Sequence, residues 1–410
     1  MHVRSLSRRV LEPTREGVDM EAPDIAETYD IDEGLISRTL ELRRWLHRNP
    51  ELSGEEYQTT SLIADTLRRL GYEVQLAAGT GVVAVLRRGI GRTLGIRADI
   101  DALPIVEANQ LPHQSQIAGR MHACGHDGHM AILLGAAEWL ASATFSGTLV
   151  LIFQPAEEIA TGAKTMLDAG MLDDFDFDAF VGLHNWPSLP VGQIALHKTA
   201  SMASADRFTI RLKGTPYHPA MLDRARSTLG AASSIVLKIQ EDFARTTDEG
   251  IVISVSEFEA DGQRSLTPST VDLAGTVRAL TVAGRESALA YLKDMTNDVC
   301  DRYRIASDLT ISRACPACIN SPELEGLVRK AAVKAAGIDN VRDDIPPTMG
   351  ADDFGYFAQR WPCSYIWLGN GNPDRSLHSA SYDFNDDAIP VGVGLWVAIA
   401  ELVLGAILPN

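Results

Sequence analysis

Side chains able to hold a transition metal are concentrated in the run Met121-His122-Ala123-Cys124-Gly125-His126-Asp127-Gly128-His129 and recur in three distant fragments. These are Gln154-Pro155-Ala156-Glu157-Glu158, Gly182-Leu183-His184-Asn185 and Ser376-Leu377-His378-Ser379. No local turn or helix can bring residue 124 to residue 378. A shared site therefore demands a fold that leaves its central layer and later returns to it. The donors on offer include a thiolate, several imidazoles and two adjacent carboxylates. Magnesium and calcium want all-oxygen shells, so this mixture suits one or two borderline ions: Mn, Zn, Co or Ni.

The order of predicted elements supplies such a fold. Helical spacing covers Asp32 to His47 and Glu55 to Leu70, and strand-like runs follow at Tyr72 to Leu76, Gly81 to Leu86 and Thr93 to Ala98. The metal-ligand run opens a further helix; a strand at Thr148 to Phe153, a helix at Gly162 to Ala169 and a strand at Ala179 to Leu183 come next. Strands alternating with helices predict an α/β domain whose central sheet is mostly parallel and flanked by helices. From about Ala205 the order becomes β-α-β-β-α-β, the ferredoxin-like α+β unit. Helices at Glu323 to Ala336 and Ala351 to Arg360, then a strand at Ser364 to Leu368, resume the first pattern and lead to His378. The expected organisation is a poorly ordered extension (1–29), a discontinuous catalytic domain (30–204 and 314–410) and an inserted lid (205–313).

Composition excludes several classes of function. Lys+Arg 37 against Asp+Glu 54 gives a net charge of −17, which repels phosphate backbones, so no nucleic-acid partner is expected. The most apolar segment, Ala388 to Leu408, carries Pro390 and Glu401 and reads as a buried helix, so no membrane partner is expected either. Five cysteines in 410 residues are too few and odd in number for a disulfide framework, which points to a reducing, cytoplasmic location. Cys315-Pro316-Ala317-Cys318 has no second cysteine pair and reads as structural. Neither a glycine-rich phosphate loop nor a serine nucleophile elbow is present.

A metal at the combined site would lower the pKa of bound water to about 7 and polarise a carbonyl oxygen. Adjacent glutamates suit hydrolysis, one ligating and the other free to shuttle a proton. Each fragment alone has a plainer reading: Glu157-Glu158 as a solvated face, His184 or His378 as an ordinary histidine, Cys124 as a small buried hydrophobe. Their order beside successive strands favours the joint one.

With these fragments in place, the chain resembles the co-catalytic metallopeptidase family of aminoacylase, acetylornithine deacetylase and carboxypeptidase G. It is most similar to the amidohydrolase subfamily of hippurate, N-acyl-amino-acid and indoleacetyl-amino-acid hydrolases. The shared markers include His47-Arg48-Asn49-Pro50-Glu51-Leu52-Ser53, Arg97-Ala98-Asp99-Ile100-Asp101-Ala102-Leu103-Pro104 and Met349-Gly350-Ala351-Asp352-Asp353-Phe354, besides the fragments above. The resemblance implies two divalent ions held by Cys124, His126, Glu158, His184 and His378. It makes Glu157 the general base and acid and Asp101 an orienting residue behind the ligands. It also implies a homodimer through the lid, with His218 acting in trans on the oxyanion, and Arg278, Ser265 and Asn185 as substrate contacts.

The lid departs from the family pattern. Gly-Gly-His-Ala is replaced by Pro216-Tyr217-His218-Pro219, a second histidine is Asp223, and the asparagine of Asn-Val-Ile-Pro-Asp is Ser265. The expected activity is metal-dependent cleavage of a small-molecule amide, an N-acyl amino acid or related conjugate. The alternatives are a dipeptidase, a hydrolase of another amide or carbamate, and a binding protein with a vestigial metal site.

Overall fold

The computed structural model describes residues 31–221, 226–243, 250–371 and 373–405, with the backbone of 408–409. The expectations for residues 1–29 and for Asp223 lie outside the described residues. In chain order, helices α1 (Glu33–Arg48) and α2 (Tyr57–Arg69) precede strands β1 (Glu73–Ala77), β2 (Gly81–Arg88) and β3 (Arg92–Asp99). Helix α3 (His126–Ser142), β4 (Gly147–Gln154), α4 (Gly162–Asp168), β5 (Ala179–Trp186) and β6 (Ile194–Ala195) follow. Next come β7 (Ser204–Lys213), α5 (Thr228–Phe243), β8 (Ile251–Ala260), β9 (Thr270–Ala279), α6 (Val282–Tyr303) and β10 (Ala306–Cys315). Helix α7 (Pro322–Ala336), β11 (Val341–Arg342), β12 (Cys363–Gly369) and α8 (Ile389–Leu404) complete the set of labelled elements.

The larger sheet has eight strands in the order β1-β2-β4-β3-β5-β12-β6-β11. Its centre is parallel, β3 beside β4 and β5, and β12 beside β5. Central strands covered on both faces need apolar side chains throughout, which explains Leu149-Val150-Leu151-Ile152-Phe153 in β4, all buried. Strand β12 enters next to β5 with Trp367 opposite His184, so the later part of the chain rejoins the earlier sheet at the candidate site.

Helix α3 is apolar on nearly every side because it lies between the sheet, α1 and α8. Its buried Ile132, Leu133, Leu134 and Leu140 each contribute roughly 1.5–3 kcal/mol of burial. Asp32 caps α1 by accepting from the Leu35 N–H at 2.6 Å. The segment Asp386–Leu404 is long and apolar enough to cross a bilayer, but it packs on α3 and α7 inside the protein.

The second sheet is wholly antiparallel, in the order β8-β9-β7-β10, with α5 and α6 packed on one face. Period-two alternation divides β7: Phe208, Ile210 and Leu212 are buried, while Arg207, Thr209, Arg211 and Lys213 are exposed. Asp206 lies on the helix side, where it takes a bidentate pair from Arg285 of α6 at 2.6 and 2.8 Å. Strands β7 and β10 are neighbours, with Ala205 opposite Cys315, so both connections to the larger sheet leave side by side. Cys315 and Cys318 are free, buried thiols at this junction, and Cys318 pairs with Met202 in a two-stranded ribbon.

One expected element is shorter than its sequence suggests. The helix read over Ala351 to Arg360 spans only Gly355–Ala358. The carboxylates ahead of it are drawn elsewhere: Asp352 accepts from the Phe354 N–H at 2.8 Å and pairs with Arg97 at 3.1 Å.

Candidate metal centre

Cys124 and His126 flank Gly125, the cap of α3, whose φ of 86° lies in the left-handed region. A Cβ there would fall 2.4 Å from both the Asn185 side-chain nitrogen and the Tyr382 hydroxyl, so glycine is required. Glu157 and Glu158 follow β4, while His184 lies within β5. His378 arrives after β12 with a φ of 62° and donates its N–H to the Ala123 carbonyl at 2.8 Å. Left-handed backbone at a histidine costs about 1 kcal/mol or more, a strain of the kind that concentrates at functional sites.

These side chains converge. Ligand atoms of Cys124, Glu158 and His378 lie within 4.8 Å of one another, and so do those of Cys124, His126 and His184. The closest approaches are Cys124 Sγ to His184 Nε2 at 3.4 Å, His378 Nε2 to Glu158 Oε2 at 3.4 Å and His126 Nε2 to Glu158 Oε1 at 3.8 Å. His184 donates from Nδ1 to the Asn185 carbonyl at 2.7 Å, and His126 Nδ1 faces the Asp101 carbonyl at 2.9 Å. Both rings thereby turn Nε2 toward the shared space. His126 Nε2 and Glu158 Oε1 are buried and have no hydrogen-bond partner among the described residues. Leaving two such atoms unmatched is costly unless a cation joins them. Cysteine, histidine and carboxylate donors fit a borderline divalent ion.

The electrostatics agree with that fit. Burial lowers the basicity of His126, but Asp99, Asp101 and Glu158 outweigh it and raise its pKa to about 10. Burial and the nearby carboxylates of Asp352, Glu158 and Asp353 hold the Glu157 pKa well above the usual range. Burial likewise pushes Glu158 up to about 7, against the pull of His126. The cluster is rich in negative charge and compensated by few cations.

Behind it lies a buried network built on Arg97. Its guanidinium donates to Gln154 at 2.8 Å, Asp99 at 2.8 Å and Asp352 at 3.1 Å, and it pairs with Asp353 at 3.4 Å. Tyr365 donates to Asp352. Asp99 accepts from His129 Nδ1 at 2.7 Å, and His129 Nε2 accepts from the Asn185 N–H at 3.0 Å, so both nitrogens of His129 are committed. Asp101 accepts from Ser53 at 2.6 Å and from the Glu158 N–H at 3.0 Å.

The remaining expected residues divide. Arg278 lines the same cleft as Cys124, Glu157, Glu158, His184 and His378, a space of about 350 Å³. Asn185, the other expected substrate contact beside His184, lies behind the cleft lining. It is fully buried, donating to the Cys124 carbonyl at 2.6 Å and accepting from Tyr382 at 2.7 Å, so its amide is spent on shaping the site. His218 and Ser265 are exposed and do not line the cleft of their own chain. Tyr217 and Thr267 tie the two turns together, with N–H to carbonyl and N–H to hydroxyl bonds of 3.0 and 2.8 Å.

The description "Peptidase family M20/M25/M40" matches residues 95–402. The chain belongs to this family. A hippurate hydrolase of Campylobacter jejuni is 35% identical over 363 residues, covering 88% of this chain and 94% of its own. An N-acetylcysteine deacetylase of Bacillus subtilis is 32% identical over 385 residues, covering 92% and 99%. An IAA-amino acid hydrolase of Arabidopsis thaliana is 34% identical over 373 residues, covering 88% and 84%. The crystal structure of a dinuclear metal binding M20 peptidase from Bacillus subtilis superposes with a TM-score of 0.82 at 30% identity, covering 91% of this chain and 99% of that one. The expected family and α/β fold are therefore established.

Arg97, Asp99, Asp352 and Asp353 stand within the shared family markers, which assign these four residues no role. Charged residues beside otherwise apolar runs are the available signal, since buried ions persist only where they are matched.

Proposed function

We propose that this protein is a metal-dependent amidohydrolase that cleaves the amide bond of N-acyl amino acids or related small amide conjugates. The observation that carries the reading is the pair of buried, unpartnered ligand atoms on His126 and Glu158 beside a protonatable Glu157. Cys124, His126, Glu158, His184 and His378 would hold two divalent ions, Mn, Zn, Co or Ni. What bound ions supply there is acidification of a water and polarisation of the amide carbonyl. Glu157 takes the proton from the attacking water and returns it to the leaving amine, a shuttle that its raised proton affinity suits. Asp101 keeps His126 in its ligating orientation, and Arg278 receives a substrate carboxylate.

The finer organisation belongs to the same proposal. Residues 30–204 and 314–410 form the catalytic unit and 205–313 the lid. His218 stands outside its own cleft, which supports a homodimer in which His218 and the Ser265 turn reach the partner's site. Five buried free cysteines suit a reducing cytoplasm. The converging ligand atoms favour an active site over a vestigial one.

The test is Glu157→Gln, assayed on acyl-amino acids, dipeptides and aryl amides alongside metal analysis. Turnover is expected to fall by about 10²–10⁴-fold with metal content retained. Near-normal turnover in the variant would remove Glu157 from this role, and a wild-type preference for dipeptides or aryl amides would replace the substrate class.

A further inference from the structure

The strands of the four-stranded sheet carry four arginines: Arg207, Arg211, Arg278 and Arg313. Two are neutralised. Arg211 makes a bidentate pair with Asp272 at 2.8 and 2.9 Å, and Arg313 pairs with Glu286 at 2.8 Å. The other two line the candidate active-site cleft. Arg278 donates one N–H to the Met349 carbonyl at 2.8 Å, which steadies its guanidinium without cancelling its charge. The Arg207 side chain has no ion pair and no hydrogen bond among the described residues.

Register places these two cations together. Arg207 is opposite Thr276 and Arg278 is opposite Ala205, so Arg207 and Arg278 are diagonal neighbours. Diagonal neighbours on one face are roughly 7–8 Å apart, within reach of each other's long side chains. Alternation along β7 turns Arg207 away from the helix-covered side, where Asp206 is held by Arg285. The cleft is also lined by Glu157, Glu158 and Asp352 from the larger-sheet part of the chain and by Asp206, whose charge Arg285 matches, so the two arginines are the unneutralised charges on the antiparallel sheet's side. Two guanidiniums side by side with no carboxylate partner repel each other, and two anionic groups on one ligand would relieve that repulsion.

We infer that the substrate carries two carboxylates on the amine side of the scissile bond, making it an N-acyl derivative of an acidic amino acid. This rests on the amidohydrolase reading given above. Arg278 takes one carboxylate and Arg207 the other. Because both arginines stand on the same patch, both charges belong to the same half of the substrate; a dicarboxylic acyl group would place its second charge across the amide.

The experiment compares kcat/KM of the metal-loaded enzyme on N-acetyl-L-glutamate, N-acetyl-L-glutamine and N-succinyl-L-alanine, for the wild type, Arg207→Gln and Arg211→Gln. The glutamate compound is expected to exceed the glutamine compound by roughly 10- to 100-fold, the scale of a charge-assisted hydrogen bond. Arg207→Gln should shrink that ratio about tenfold or more, and Arg211→Gln should leave the ratio unchanged. In parallel, calorimetry measures binding of the products L-glutamate and L-glutamine to the same proteins, which requires no turnover. Tighter glutamate binding that weakens in Arg207→Gln supports the inference, while equal binding of the two products overturns it. Turnover without charge preference, a ratio unmoved in Arg207→Gln, or preference for the succinyl compound also overturns it and leaves the amidohydrolase reading standing. Absence of turnover on every acyl-amino acid overturns that reading instead.

Discussion

His378 Nε2 lies 3.4 Å from Glu158 Oε2, although β5, the whole antiparallel sheet and β12 separate the two residues in the chain. The ring is exposed at the cleft rim, so its removal should spare the fold. His378→Ala is expected to weaken metal retention by about tenfold or more, with little change in the melting temperature of chelator-treated protein. Metal content after dialysis against graded chelator reads this directly. Unaltered retention would strike His378 from the ligands.

Asp101 has no place in the open cleft, yet it fixes His126 from behind and accepts from Ser53 and the Glu158 N–H. Asp101→Ala should cost 10- to 100-fold, roughly, in metal affinity or kcat. Circular dichroism should remain that of the parent. Full activity with full metal content would show that His126 holds its orientation unaided.

Arg97 is the cation shared by Asp99, Asp352 and Asp353, all buried. Arg97→Met leaves those carboxylates facing one another without compensation. A loss of about 3–5 kcal/mol is expected from urea unfolding. A loss below about 1 kcal/mol would mean that water or a proton replaces the guanidinium at little cost.

His47 gives stability a pH dependence. Burial lowers its basicity, but Asp127 at 2.7 Å and Glu107 at 3.4 Å raise its pKa to about 9. The folded value is above the unfolded one of about 6.5. Its contribution is therefore complete below that unfolded value and is lost as pH rises through about 9. Between pH 6 and 9.5 the wild type should lose on the order of 1–3 kcal/mol more than His47→Gln. Parallel curves for the two proteins would contradict the assignment.

Much of this was legible from residues alone, for physical reasons. Metal donors are chemically conspicuous, so the four fragments that carry them were visible in the sequence, while the choice of Cys124, His126, Glu158, His184 and His378 among those donors came from the family resemblance. The β-α-β-β-α-β insertion showed through periodicity, since one face of its sheet is covered by helices and the other is open. Sequence order cannot reveal that the amide of Asn185 is engaged by Tyr382 and the Cys124 carbonyl. The helix over Ala351 to Arg360 was overestimated because Asp352 and Asp353 answer to Arg97, far off in sequence. Arg207 passed unnoticed because a lone arginine on an alternating strand reads as a solvated face until register sets it beside Arg278.

The side-by-side exit of β7 and β10 has a mechanical consequence. Two adjacent strands joined by backbone hydrogen bonds flex together as a single leaf spring, easily bent across its width and stiff in its own plane. Arg207 is carried by β7 and Arg278 by its neighbour β9, while Glu157 and Glu158 follow β4 of the larger sheet, so a bend at this junction would change the gap between the opposing charges.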